Sequence, residues 1–140
     1  MKRILTLLCA VMMLTVSAGA LEVEAPSALL MEKTTGTVLF AKDEHAKLEP
    51  ASVTKVMTLL LVMEAIDAGT LHYEDIITAS AHACSMGGSQ IWLEENEQMS
   101  VSDMLKAVCV VSANDCAVAL AEAVAGSEEA FVCLLYTSDA

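Results

Sequence analysis

Hydrophobic positions along the chain fall into blocks of different period. Two short apolar runs, residues 27–32 and 38–41, flank Thr34-Thr35-Gly36-Thr37. Short apolar runs around a glycine-bearing turn predict a β-hairpin. Lys42 to Glu49 is polar and charged and reads as a loop. From Val53 to Ile66 there is neither Gly nor Pro, and Gly69 lies just past the end. Val53, Val56, Met57, Leu59, Leu60, Leu61, Val62 and Met63 run nearly all round that stretch, which predicts a central, buried helix.

Residues 70–97 have no sustained period and predict loops with short helical or extended pieces. Trp92 within them is expected to pack rather than to bind a ligand. Ser100 and Ser102-Asp103 offer N-cap chemistry to a helix from about Val101 to Val110. A break follows at Ser112-Ala113-Asn114. Asp115 opens a second helix that stops at Gly126, and Ser127 with Glu128 and Glu129 starts a third through Ala130 and Phe131. A hairpin followed mostly by helices predicts an α+β or α/β fold whose sheet is incomplete within these residues.

The first twenty residues stand apart. Lys2 and Arg3 precede an apolar run from Ile4 to Val16, and Ala18-Gly19-Ala20 has the small side chains of a cleavage site. Residues 1–20 therefore read as a signal peptide, with Val23-Glu24-Ala25 as a second cleavage choice. The run is too short to span a bilayer comfortably. Cys9 lies inside it and is not read as a lipid-attachment site.

The 140 residues have room for one modest domain or a piece of a larger one, and a hydrophobic fraction of 56% supports a packed core. Beyond residue 20, five lysines face 19 carboxylates, a charge of −14. No basic patch is available to neutralise phosphates, so no nucleic-acid partner is expected. Cys84, Cys109, Cys116 and Cys133 form no C-x-x-C and no compact disulfide framework. Cys109 and Cys116, in apolar helical stretches, read as buried free thiols. His45, His72 and His82 lack metal-ligand spacing, so no metal or other cofactor is expected.

Two short motifs carry chemistry. Ser52-Val53-Thr54-Lys55 is an S-x-x-K at the start of a helix, where positions i and i+3 share a face. A serine hydroxyl needs a base to take its proton. A lysine buried against the apolar helix would have its charged form disfavoured. Ser112-Ala113-Asn114 is an S-x-N motif 60 residues later, at a helix junction where side chains can leave the core. A hydroxyl there can relay a proton, and an amide can bind a peptide. Taken singly, each motif also reads as ordinary helix capping.

Together they are the first two of the three motifs S-x-x-K, S-x-N and K-T-G of penicillin-binding proteins and serine β-lactamases. The chain resembles the low-molecular-mass D-alanyl-D-alanine carboxypeptidases, serine peptidase family S11. The likeness also covers residues 27–32, 35–40, 50–58, 87–93 and 112–115, in family order from about Ala25 to Phe131. It implies the α/β sandwich of the serine β-lactamase and DD-peptidase type. It implies an exported enzyme of cell-wall biogenesis that removes the terminal D-alanine from peptidoglycan pentapeptides ending in D-Ala-D-Ala. By the same resemblance Ser52 is the nucleophile, Lys55 the proton acceptor, Ser112 a relay toward the leaving amine and Asn114 a substrate-binding group. The backbone N–H of Ser52 would supply half of an oxyanion hole, and β-lactam antibiotics would acylate Ser52.

The chain departs from the pattern in three places. No Lys-Thr-Gly follows Ser112. Residues 21–131 are therefore expected to be the N-terminal part of the catalytic domain and inactive by themselves, with any membrane association left to a C-terminal part. Residues 132–140 do not resemble the family's continuation and read as a non-native tail. Asn96 stands where relatives usually carry glycine. A class A serine β-lactamase, a non-catalytic peptidoglycan-binding relic and a secreted helical protein with chance motifs are the rival readings. The extended flanking match favours the carboxypeptidase.

Overall fold

The computed structural model of the chain describes residues 21–137, so the signal-peptide expectation and the last three residues lie outside the described residues. The chain divides into two compact units, one ending at Leu48 and one beginning at Glu49.

In the first unit, strands β1 (Ala28–Met31) and β2 (Val38–Lys42) pair antiparallel, as the two apolar runs predict. Leu30 faces Phe40 and Met31 faces Val38, with a register shift between Leu30 and Met31. The turn is closed by the Glu32 N–H donating to Thr37 O at 2.8 Å and the Gly36 N–H donating to Glu32 O at 2.9 Å. Gly36 has φ +71°, a conformation that costs glycine little. The Glu32 carboxylate accepts from the Thr34 N–H, the Thr35 N–H and the Thr35 hydroxyl, at 2.9, 2.6 and 2.7 Å. Those bonds, the Thr34 N–H foremost, hold its carboxyl down at about 2.

The second unit begins with a 3₁₀ turn, Ala51–Thr54, that leads into helix α1 (Lys55–Asp67). Gly69, at φ +72°, follows its end. Strand β3 (Ile76–Thr78) then precedes the short helix α2 (Ala81–Cys84), and β3 pairs antiparallel with β4 (Gln98–Ser100). Helices α3 (Val101–Val111), α4 (Asn114–Ala125) and α5 (Glu128–Thr137) complete it. Ser100 Oγ caps α3 by accepting from the Asp103 N–H at 3.1 Å, and Gly126 ends α4 in the left-handed region at φ +84°. Helix α5 continues through residues 132–137, beyond the Phe131 limit read from the sequence. The result is an α+β arrangement in which helices carry most of the core.

Helix α4 is the centre of that core. Its residues 115–121 are buried in succession, and it packs against α1, α2, α3 and α5. Three alanines among those seven let neighbouring helices approach closely. Val101, Met104 and Val108 of α3, spaced three and four apart, meet it on one side, and Val62 of α1 meets it on another. Leu61, Ala121 and Phe131 form a second cluster.

Three expectations are corrected. The apolar helix from Val53 is not buried all round: α1 buries Thr58, Leu61 and Val62 and exposes Val56, Leu60 and Met63. It packs in this unit mainly on α4 and α5, which occupy one side of it. Cys109 is exposed whereas Cys116 is buried, because α3 turns residues 101, 104 and 108 inward and leaves 109 a step round the helix. Trp92, expected to pack, is 75% exposed. It sits in the left-handed region at φ +60°, in a loop whose next residue, Leu93, is the one that is buried. Among the described residues no helix is long and apolar enough to cross a membrane. Among the same residues no group of three or more His, Cys, Asp or Glu could hold a metal ion.

Candidate active site

The S-x-x-K motif straddles the junction of the 3₁₀ turn and α1. Ser52 lies in the turn and is exposed; Lys55 is the first residue of α1 and is half-buried. The expected apolar pocket around the Lys55 amine is therefore only partly present, since the outer face of α1 is open. Ala51 enters the turn at φ +48°, a strained conformation for a residue with a Cβ. Lys55 Nζ donates to Ser52 Oγ at 3.5 Å, a long contact at the outer limit of a hydrogen bond. Catalytic contacts of this kind are often long without substrate and tighten when it binds.

Both side chains line a cleft of about 460 Å³. Thr58, Asn114 and Val118 line it as well, with Phe131 and Leu135 from α5. Asn114 opens α4, which has no side-chain N-cap bond. Its amide reaches out of the helix instead: Nδ2 donates to Gly87 O at 2.6 Å. Its backbone N–H donates to Ser89 O at 2.7 Å. The structure thus brings Ser52, Lys55 and Asn114 to one cleft. Ser112 is half-buried and lies outside the cleft lining. It ends α3 in the left-handed region, at φ +60° and ψ +38°, so the junction predicted at S-x-N is a sharp and strained one.

The Gly87–Leu93 loop and Asp115 matter more than sequence reasoning allowed. Asp115 reads from the sequence as a helix-start residue, yet it is fully buried and bonds the loop as well as the start of its own helix. The Ile91 and Leu93 N–H groups each donate to Asp115 Oδ2 at 3.1 Å, and the Cys116 N–H donates to Oδ1 at 2.9 Å. Gln90, with its amide oriented to suit its neighbours, donates to Met86 O at 2.6 Å and accepts from Trp92 Nε1 at 3.1 Å. The clue available in the sequence was an Asn-Asp pair opening an otherwise apolar helix. Behind the site, burial pushes the Cys116 thiol up to about 12, helped by the charges of Asp115 and Glu97.

Glu128, at the start of α5, also lines the cleft. His82 of α2 lies 2.6 Å from it, Nε2 to Oε2. That hydrogen bond raises the His82 pKa above its ordinary value, with the Glu122 and Glu129 charges adding to it.

Residues 14–137 match the model of the family described as D-alanyl-D-alanine carboxypeptidase. The chain belongs to that family. The chain is 49% identical to D-alanyl-D-alanine carboxypeptidase DacF of Bacillus subtilis over 144 residues, 94% of this chain and 37% of the relative. It is 39% identical to D-alanyl-D-alanine carboxypeptidase DacD of Escherichia coli over 117 residues, 79% of this chain and 30% of the relative. The chain thus spans about a third of the length of these curated relatives. Among solved structures, DacD from Francisella tularensis aligns with TM-score 0.80 and 35% identity over 84% of this chain and 29% of that one. Penicillin binding protein 6B from Escherichia coli aligns with TM-score 0.76 and 37% identity, over 87% of this chain and 40% of that one. The fold is shared, then, with these structures over 84–87% of this chain and 29–40% of theirs.

Proposed function

We propose that this chain is the nucleophile-bearing part of a serine D-Ala-D-Ala carboxypeptidase acting on peptidoglycan stem peptides at the extracytoplasmic side of the membrane, exported by residues 1–20. The observation that carries the reading is the approach of Lys55 Nζ to Ser52 Oγ at 3.5 Å on the wall of a cleft that Asn114 also lines.

In this mechanism Ser52 Oγ forms a C–O bond to the carbonyl carbon of the penultimate D-alanine. Its proton passes across that contact to Lys55 Nζ, which must be the neutral amine to accept it. The Ser52 N–H steadies the oxyanion from one side. The C–N bond to the terminal D-alanine breaks, and the leaving amine takes up the proton that Lys55 Nζ received from Ser52. Asn114 orients the peptide. Water then attacks the ester, the peptide leaves as a carboxylic acid, and the Ser52 hydroxyl is restored. A β-lactam ring would acylate the same oxygen, its amide bond opening in place of the peptide bond.

The test uses a chimera joining residues 21–131 to the part of the Bacillus subtilis relative that follows the matched stretch. The chimera should take up fluorescent penicillin and release D-alanine from a peptide ending in D-Ala-D-Ala. Ser52→Ala should abolish both, and Lys55→Ala should slow acylation by roughly 10²–10⁴-fold, the usual worth of general base catalysis. Equal labelling of the Ser52→Ala protein would overturn the proposal.

A further inference from the structure

We propose that Asp115 is a positioning residue for this site, fixing the Asn114 amide through the Gly87–Leu93 loop. The proposal rests on the acyl-transfer reading above and assigns a role to a group that reading leaves unused.

Asp115 is fully buried, and among the described residues no Lys, Arg or His side chain forms an ion pair with it. Burying a carboxylate is costly unless donors surround it. Here the donors are three backbone N–H groups: those of Ile91, Leu93 and Cys116. Two of them belong to the loop, on either side of Trp92. The loop is thereby anchored from below at two points two residues apart. From its other end it returns two bonds to Asn114: Gly87 O accepts from Nδ2 at 2.6 Å, and Ser89 O accepts from the backbone N–H at 2.7 Å. The contacts close a ring from Asn114 through Asp115 to Ile91 and Leu93, and back through Ser89 and Gly87.

The ring explains why a charge is retained in the core next to Asn114. A neutral side chain would lack the capacity to accept from three N–H groups at once, and the loop would lose an anchor. With the loop anchored, the Asn114 amide is held by Gly87 before any substrate arrives. Rotation of that amide out of the cleft then requires breaking a bond whose acceptor cannot follow. Asp115 itself does not line the cleft, so its effect on a substrate is exerted through Asn114.

The experiment compares Asp115→Asn with Val108→Ala, a core variant chosen to lower stability without touching the ring. In the chain itself, Asp115→Asn should shift the NMR signals of the Asn114 side-chain NH₂ and of the Ile91 and Leu93 amides. It should also change the emission of Trp92, the only tryptophan. Val108→Ala should leave the Asn114 signals in place. In the chimera, Asp115→Asn should lower penicillin acylation at least tenfold while Val108→Ala leaves it within about twofold. Unmoved Asn114 signals, or equal acylation losses in the two variants, would overturn the inference. If the chimera with native Asp115 takes no penicillin, the acyl-transfer reading fails, and the NMR arm still decides whether Asp115 holds Asn114. Should Asp115→Asn not fold, amide exchange in the native chain decides: Ile91 and Leu93 exchanging like open-loop amides would refute the anchoring.

Discussion

Gly88 packs so closely on Asn114 that a Cβ built on it would lie 2.9 Å from Asn114 Nδ2. Its φ is +78°, where any side chain is strained. Gly88→Ala should therefore act in two ways. Stability should fall by on the order of 1 kcal/mol from backbone strain, read as a lower urea midpoint. The Asn114 amide should also be displaced, so penicillin uptake by the chimera should drop by more than the stability loss accounts for. Uptake unchanged in a folded Gly88→Ala protein would show that the close approach has no bearing on the site.

Leu120 is among the largest fully buried side chains and lies in the middle of α4. Leu120→Ala should cost about 2–5 kcal/mol, the usual range for a buried leucine truncated in a close-packed core. Val110→Ala, on a side chain that is 81% exposed, should stay within roughly 0.5 kcal/mol. Denaturant titration of both variants checks the contrast. A small effect at Leu120 would mean that α4 is not the centre of the core.

The His82–Glu128 contact links α2 to α5 and depends on pH. The folded His82 pKa is raised above 6.5, chiefly by the Glu128 hydrogen bond. A raised histidine stabilises the fold fully below its unfolded pKa, and the contribution disappears as pH rises through the folded value. The window therefore opens near pH 6.5 and extends upward. NMR titration of the His82 ring should give a midpoint above 6.5 that falls in Glu128→Gln. A midpoint at or below 6.5 in the native chain would contradict the contact.

The cysteines should react in an order set by access and thiolate content. Cys109 and Cys133 are exposed. Cys84 is half-buried, its pKa raised by burial and then by the charges of Asp115 and nearby glutamates. Cys116 is buried, with its thiol pushed up to about 12. Iodoacetamide at neutral pH should modify Cys109 and Cys133 first, Cys84 later, and Cys116 only on unfolding. Peptide mapping by mass spectrometry reads the order, and early labelling of Cys116 would refute it.

Helix ends were legible in the sequence because their chemistry is local. Ser100 before Asp103, Gly69 and Gly126 mark the observed boundaries through bonds and φ values spanning a few residues. Asn96, where relatives usually carry glycine, takes φ +68°, a region asparagine tolerates better than most residues. The β3–β4 pair was not legible: Ile76-Ile77-Thr78 is too short to show a period. The exposure of α1 is not legible in the sequence, because composition records which residues are apolar but not what packs against each face. S-x-x-K and S-x-N brought Ser52, Lys55 and Asn114 to notice. Asp115 escaped because two of its three partners are backbone N–H groups more than twenty residues away, and sequence carries no mark of them.

The β1–β2 hairpin has a bearing on how the chain comes apart. None of its nine strand residues is buried, and Leu29, Leu30, Met31, Val38 and Leu39 all face solvent to about half or more of their surface. An isolated two-stranded ribbon is marginal in water. The Glu32 turn thus holds together a segment whose opening free energy is far below that of α4. Unfolding should proceed by stages: the ribbon frays first, reversibly and often, while the alanine-rich helix keeps its amides until the last global event.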